Sequence, residues 1–155
     1  MALPEPDPNL TCLVTGASSG IGAEVARGLA RRGLGVTLAA RREDRLKEIA
    51  EELAGEFDIR AETISCDVSD IDDRKRMKQE IESRGLTVEV LVNNAGYGSG
   101  GAFIELDGDK EAAMIRTNVE SVVALTHAFL PEMVERGRGA RGRARSPPRS
   151  RTTRR

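Results

Sequence analysis

Short apolar runs alternate with amphipathic segments along most of this chain. Four runs have the length and content of buried strands, at residues 10–14, 36–40, 59–65 and 88–92. Between them, apolar residues recur at helical spacing, which predicts helices over about 21–30, over 43–56 and from a cap at Ser69 or Asp70. Strands that alternate with helices in this way predict an α/β fold in which helices cover both faces of a parallel sheet.

The C-terminal part of the pattern is different. Apolar residues between Asp109 and Arg136 predict one long helix, bent near Pro131. From Gly137 onward no apolar residue larger than Ala occurs, so no core strand can form there. We therefore predict a mobile leader at 1–9, a folded domain at 10–136 and a disordered, arginine-rich tail at 137–155.

Composition supports this fold class and suggests a location. Aromatic residues make up only 3% of the chain, so the core must consist of aliphatic side chains, as in sheets that are covered on both faces. Cys12 and Cys66 are more typical of reduced thiols than of a disulfide framework. Neither a signal peptide nor a membrane-spanning run is apparent, so we expect a cytoplasmic protein without membrane attachment.

A glycine-rich turn between the first strand and the first helix carries the strongest chemical signal. The sequence from Thr15 to Gly22 places three glycines where the backbone must turn tightly and expose N–H groups to an anion. It lacks the Gly-Lys-Ser/Thr of nucleoside triphosphatases. The turn predicts a nucleotide site, and a single-anion site or a purely structural turn is the alternative. The predicted cofactor-binding residues here are Gly16, Ser18, Ser19, Gly20, Ile21 and Gly22.

Four motifs in order resemble the short-chain dehydrogenase/reductase family, namely this turn, Asp67-Val68, the segment Asn93-Asn94-Ala95-Gly96, and Asn118 in the long helix. The resemblance covers about residues 10–139. It implies a Rossmann-like, doubly wound parallel sheet that is incomplete on its C-terminal side. It also implies hydride transfer between NAD(P)H and a small alcohol or carbonyl compound, and association into a homo-oligomer through the long helix.

The end of the second strand bears on the choice of dinucleotide. A carboxylate there would bond the adenosine ribose hydroxyls and repel a 2′-phosphate. This chain has Ala39-Ala40-Arg41-Arg42 instead, so NADP(H) is favoured over NAD, with Arg41 as the phosphate partner. The alternative is that the two arginines only begin a solvated helix.

The resemblance implies further cofactor contacts at the next two strand ends. Asp67 would accept a hydrogen bond from the adenine amine and Val68 would flank the ring, unless Asp67 simply caps a turn. The element at 93–96 steadies the sheet and lines the cofactor in the family. Its implied contacts here are Asn94, Ala95 and Gly96, whereas Asn93 could be purely structural.

The catalytic residues implied by the resemblance are largely missing from the 155 residues. Asn118 matches the family asparagine that helps to hold a water in the proton relay. The reaction also needs a serine and a Tyr-x-x-x-Lys, but the only tyrosine, Tyr97, is followed four residues later by Gly101. His127 is the only histidine, and no residue set predicts a metal site. We expect a truncated form that binds cofactor without catalysing the reaction.

The tail leaves two hypotheses open. The last twenty residues contain nine arginines and no acidic residue, although the whole chain has a net charge of −1. From about Ala140 onward the sequence could be an out-of-frame reading of a GC-rich coding region. Alternatively, the tail is a genuine arm that contacts nucleic-acid phosphates, which would make the chain a Rossmann-like domain with a nucleic-acid-binding tail. We favour the oxidoreductase interpretation and expect no nucleic-acid partner.

Overall fold

The computed structural model describes residues 3–137, and their strands form one parallel sheet. The strands are β1 (Leu10–Thr15), β2 (Val36–Ala40), β3 (Ala61–Ser65) and β4 (Thr87–Val92). Their order across the sheet is β3-β2-β1-β4. The strands β2 and β3 are added on one side of β1, and β4 is added on its other side. The gap between β1 and β4 is therefore the switch point of the strand order, where open α/β sheets bind ligands.

Helices follow each strand. They are α1 (Gly20–Ala30), α2 (Glu43–Phe57), α3 (Ile71–Ser83), α4 (Gly108–Ile115) and α5 (Ser121–Glu135). A short 3-10 turn at Phe103–Glu105 precedes α4, and a π-helical turn at Arg116–Glu120 joins α4 to α5. The predicted α/β fold with a parallel sheet is confirmed.

The core consists of two apolar layers, one on each face of the sheet. Helices α1 and α2 bury Leu29, Leu46 and Leu53 against one face, on which Val14 and Leu38 lie. Helices α3 and α5 cover the other face, where the buried residues include Leu13, Ile64, Met77, Ile81, Leu125 and Phe129. Adjacent residues of β1 point to opposite layers, as the alternation of side chains along a strand requires. Because both faces are covered, the strands can be almost wholly apolar.

The register aligns the carboxyl ends of the strands. Thr15 pairs with Ala39, Ala40 pairs with Ser65, and Val14 pairs with Val92. Side chains that follow these positions along the chain therefore project from the same edge of the sheet.

One predicted boundary differs in detail, and the structure selects one of the two predicted caps of α3. Strand β3 begins at Ala61 rather than at Ile59. Helix α2 ends at Phe57, and the next residue, Asp58, has a φ of 51° that breaks the helix and turns the chain. The cap of α3 is Asp70 rather than Ser69, and its carboxylate accepts hydrogen bonds from the N–H groups of Asp72 and Asp73.

The predicted long helix is interrupted rather than continuous. Its first two turns form α4, and the π-helical turn then separates α4 from α5. The hydroxyls of Thr117 and Ser121 donate to the carbonyls of Ala113 and Thr117 at 3.0 and 2.6 Å, so polar side chains bond to the backbone at both ends of this turn. Helix α5 continues through Pro131.

The chain ends are only partly described. Within the predicted leader, the N–H of Leu10 donates to the carbonyl of Asp7 at 3.1 Å and forms a turn into β1. Apart from Gly137, the predicted tail lies outside the described residues. None of the helices between residues 3 and 137 has both the length and the apolar character needed to cross a membrane.

Candidate functional site

A cavity of about 270 Å³ opens at the carboxyl edge of the sheet. The segments that follow all four strands contribute to its lining, together with one residue of the π-helical turn. The lining residues are Gly16, Ser18, Ser19, Ala40, Arg41, Arg42, Cys66, Asp67, Val68, Ala95, Gly96, Tyr97 and Thr117. Most of the predicted cofactor-binding residues are thus together in one cavity, where a parallel sheet places its ligand.

The glycine turn has a backbone that few other residues could adopt. Gly16 and Gly20 have φ values of +67° and +58°, in the left-handed region. A Cβ on Gly16 would lie 2.8 Å from the Cα of Ala95, and a Cβ on Gly22 would lie 2.5 Å from the Nδ2 of Asn94. The turn is therefore packed directly against the segment that follows β4. Ile21 points away from this contact, with 77% of its surface exposed.

The N-terminus of α1 faces the cavity without an internal cap. Ser19 occupies the N-cap position, but its side chain makes no capping hydrogen bond, and the first turn of α1 carries no acidic residue. The first N–H groups of the helix and the positive end of its dipole are therefore available to an anion.

Arg42 places a positive charge directly beside this turn. Its guanidinium donates to the hydroxyl of Ser19 at 2.7 Å and to the hydroxyl of Ser18 at 3.1 Å. The same Nη2 also lies 3.3 Å from the carbonyl oxygen of Ser18. Two hydroxyls and one guanidinium are thus grouped over the N-terminus of α1, which is a donor set suited to a phosphate.

Arg41, the phosphate partner predicted from the sequence, has a different position. Its side chain is 74% exposed, and its Nη1 lies 3.9 Å from the Oδ2 of Asp67. Both arginines line the cavity, but only the second contacts the glycine turn. The sequence showed both residues, yet which of them turns toward Ser18 depends on the backbone at the start of α2, where Arg42 has φ −90° and ψ 88°.

Asp67 organises the loop between β3 and α3. Its Oδ1 accepts hydrogen bonds from the N–H and the hydroxyl of Ser69, at 2.9 and 2.7 Å. Its own N–H donates to the carboxylate of Asp73 at 2.8 Å. This hydrogen bond, assisted by Arg76, lowers the pKa of Asp73. The turn-capping alternative for Asp67 is therefore realised, and its second oxygen stays on the cavity side with Arg41. Val68 is buried beside it.

Asn94 joins β4 to the glycine turn. Its Nδ2 donates to the carbonyls of Thr15 and Gly16 at 3.0 and 3.3 Å. Its N–H and that of Ala95 donate to the hydroxyl of Thr15 at 3.0 and 3.1 Å. These N–H groups are hydrogen-bonded within the protein. Asn94 therefore shapes the cavity by holding the glycine turn, rather than by donating to a ligand.

Asn118 braces the loop that follows β4, residues 93–101. Its Nδ2 donates to the carbonyl of Tyr97 at 2.7 Å, and its Oδ1 accepts from the N–H of Tyr97 at 3.1 Å. Gly96 allows this approach, because a Cβ there would lie 3.1 Å from the same Oδ1. The π-helical turn thus holds Tyr97 against the cavity, and Thr117, which the sequence did not indicate, lines the cavity beside it.

Cys66 also lines the cavity, and it is buried at the edge of the apolar layer formed with α3 and α5. Burial raises its pKa to about 12. Desolvation favours the neutral thiol over the thiolate, which is the reactive form.

The sheet order, the glycine turn at the switch point and the cavity over four strand ends define a dinucleotide-binding domain of the Rossmann type. The chain belongs to the short chain dehydrogenase family, which matches it over residues 10–141. The family resemblance inferred from the four motifs is therefore confirmed.

Individual relatives agree with this assignment. The chain is 36% identical over 131 residues to the NADP-dependent 3-hydroxy acid dehydrogenase of Schizosaccharomyces pombe, covering 83% of this chain and 51% of that protein. It is 39% identical over 129 residues to sulfoacetaldehyde reductase 2 of Chromohalobacter salexigens, with coverage of 83% and 50%. The chain spans about half the length of these relatives.

A solved structure gives the same result for the fold. A metagenomic short-chain oxidoreductase in complex with NADP matches with a TM-score of 0.79 and 34% sequence identity. The match covers 84% of this chain and 59% of that chain. The Rossmann-like sheet described above is thus the family fold, represented in part.

Proposed function

We propose that this chain is the cofactor-binding portion of an NADP(H)-dependent oxidoreductase. The observation that carries the proposal is the hydrogen bonding of Arg42 to Ser18 and Ser19 at the glycine turn. A fixed guanidinium beside two hydroxyls suits the 2′-phosphate that distinguishes NADP(H) from NAD(H). The segment after β2 also begins with two arginines and carries no carboxylate before Glu43 that would repel this group.

In this proposal the rest of the cavity would bind the dinucleotide in a definite order. The N–H groups at the start of α1 would receive the pyrophosphate, and the loop at Asp67 and Val68 would receive the adenine. The opposite wall, with Tyr97 and Thr117, would receive the nicotinamide side. When bound, NADP(H) supplies the hydride for reduction of a carbonyl compound or accepts it from an alcohol. Two dehydrogenase or reductase relatives and an NADP-bound structural neighbour support this proposal.

Asn118 is proposed as a positioning residue in this site. Its side chain fixes both main-chain polar groups of Tyr97, and so it sets the position of the loop that faces the nicotinamide side. Within the 155 residues no Tyr-x-x-x-Lys occurs, so we expect this chain to bind the cofactor without turnover.

The test is a fluorescence titration of the full chain with NADPH and with NADH. We expect tighter binding of NADPH. Arg42→Ala should weaken NADPH binding by about tenfold or more, because a hydrogen bond to a charged group is worth about 1.5–3 kcal/mol. The variant should leave NADH binding nearly unchanged. Arg41→Ala should have a smaller effect, because its exposed side chain must be ordered on binding.

Arg45→Ala is the matched control. This arginine lies in the first turn of the same helix and pairs with Glu48, away from the cavity. Its removal changes the net charge equally without removing a cavity residue. Equal affinity for the two dinucleotides, or an equal loss of both in Arg42→Ala, would contradict the proposal.

A further inference from the structure

Arg74 is a buried cation that links two walls of the cavity from behind. It lies in the first turn of α3, and only 7% of its side chain is exposed. Its Nη1 donates to the carbonyl oxygen of Val68 at 2.6 Å, and its Nη2 donates to the Oε1 of Glu120 at 2.7 Å. A buried guanidinium is costly unless such bonds are made, so both partners restrict its position.

The two partners belong to opposite sides of the site. Val68 lies in the wall formed by the loop after β3. Glu120 is the last residue of the π-helical turn, which also contains Thr117 and Asn118. Asn118 in turn holds Tyr97 in the wall formed by the loop after β4. A series of links therefore runs from Val68 to Tyr97. Arg74 joins Val68 to Glu120, the backbone of the π-helical turn joins Glu120 to Asn118, and Asn118 bonds to Tyr97.

The arrangement makes Arg74 the point at which this series can be broken. The carboxylate side chain of Glu120 is 52% exposed, so packing alone does not fix it. The π-helical turn is a local departure from the helical ladder, and such turns can shift by a change in hydrogen bonding. Arg74 joins Glu120, the last residue of this turn, to the carbonyl of Val68 in the loop after β3.

We infer that Arg74 is a positioning residue that couples the wall at Val68 to the loop at Tyr97 through Glu120 and Asn118. The part of this inference that concerns the dinucleotide rests on the proposed function. A ligand that spans both walls depends on their separation, whereas a ligand that occupies only the adenine side does not. Arg74 therefore affects the affinity for the whole dinucleotide more than the affinity for its adenosine half.

The test compares Arg74→Met, Glu120→Gln and the double variant with the wild type. Hydrogen exchange of residues 93–101 is measured without ligand, and affinity is measured for NADPH and for adenosine 2′,5′-bisphosphate. Arg74→Met should raise exchange in this loop and weaken NADPH binding by roughly fivefold or more, the lower end for coupled sites. Binding of the bisphosphate should change less. Arg74→Met removes the contacts with both Val68 and Glu120, whereas Glu120→Gln weakens only the contact with Arg74. The double variant should therefore be little worse than Arg74→Met alone.

Lys75→Met is the matched control. Lys75 is the next residue of α3, is 65% exposed and pairs with Asp72 on the surface. It should change neither exchange nor affinity. If Arg74→Met lowers stability too far, Glu120→Gln on the exposed side of the bridge still tests the coupling.

Two results would overturn the inference. One is faster exchange confined to residues 66–74, with the loop at 93–101 unchanged. The other is an equal loss of affinity for NADPH and for the bisphosphate. If the wild type binds neither nucleotide, the proposed function is wrong, and the exchange of residues 93–101 still decides whether Arg74 couples the two walls.

Discussion

Asn94 and Thr15 are joined by two hydrogen bonds across the switch point of the sheet. The N–H of Asn94 donates to the hydroxyl of Thr15, and its Nδ2 donates to the carbonyl of Thr15, each at 3.0 Å. The hydroxyl of Thr15 itself donates to the carbonyl of Val92 at 3.2 Å. The glycine turn is therefore held in place by residues almost eighty positions later in the chain. Its conformation depends on the assembled sheet.

The close packing of this turn leads to the first prediction. Gly22→Ala should destabilise the protein by about 1–3 kcal/mol, because the new methyl group would overpack a filled space. Its Cβ would lie 2.5 Å from both the Nδ2 of Asn94 and the carbonyl oxygen of Gly16. Chemical denaturation gives the free energy of unfolding.

Gly28→Ala is the control for this prediction. It lies in the same helix, and a Cβ there meets no atom within 4 Å. An alanine in an open helical position should stabilise the protein by about 0.5–1 kcal/mol. Equal effects of the two substitutions would show that helix propensity, rather than contact with Asn94, determines the result.

The sequence was sufficient for the sheet and the glycine turn but not for the contacts between them. Apolar runs and glycines are local signals, so β1 to β4 and the turn from Gly16 to Gly22 could be predicted. The π-helical turn inserts its irregularity without disturbing the apolar spacing, so Asn118 appeared to lie in a regular helix. The bridge from Arg74 to Glu120 joins residues 46 positions apart, and it exists only once α3 and α5 share a face of the sheet.

The second prediction concerns Asn118. Asn118→Ala removes both hydrogen bonds to Tyr97 and should speed hydrogen exchange in residues 93–101. The expected loss of stability is about 1–2 kcal/mol for two bonds of ordinary strength. Asn118→Asp keeps an acceptor for the N–H of Tyr97 but loses the donor to its carbonyl, so its exchange should be intermediate. Exchange in Asn118→Ala equal to that of the wild type would exclude a bracing role.

The third prediction concerns an ion pair at the other end of β4, in which the carboxylate is buried and the guanidinium is partly exposed. The side chain of Glu89 is 1% exposed, and its Oε1 accepts from the Nε of Arg136 at 2.9 Å. Its Oε2 has no hydrogen-bond partner among residues 3–137. Arg136 also donates to the carbonyl of Val88 at 2.9 Å. The pair therefore attaches the end of α5 to β4.

Removing one member of the pair should lower the free energy of unfolding more than removing both members. Arg136→Met leaves a buried carboxylate unpaired and should destabilise the protein by about 3–5 kcal/mol. The double variant Glu89→Leu with Arg136→Met removes the charge as well and should be more stable than Arg136→Met alone. Urea unfolding of the wild type, the two single variants and the double variant gives the coupling energy. A double variant that loses the sum of both single losses would contradict this view of the pair.

The fourth prediction concerns the pH dependence of stability. Burial raises the pKa of Cys12 and of Cys66 to about 12, from a usual value of 9.0. Between these values, unfolding releases protons that the folded state retains. The folded state therefore binds more protons, and stability should fall as the pH rises above 9. The loss is at most about 1.4 kcal/mol per pH unit for each thiol.

Urea unfolding at pH 8, 9 and 10 measures this slope, and a variant with Cys12→Ala and Cys66→Ala isolates the contribution of the thiols. Its stability should be lower at pH 8, because the smaller side chains leave space in both apolar layers, but it should fall less steeply with pH. If stability falls equally steeply with pH in the variant and in the wild type, the loss of stability at alkaline pH comes from other groups. In the wild type, the same protonation should make both thiols slow to react with iodoacetamide at pH 8 until urea unfolds the chain, since the thiolate is the reactive form.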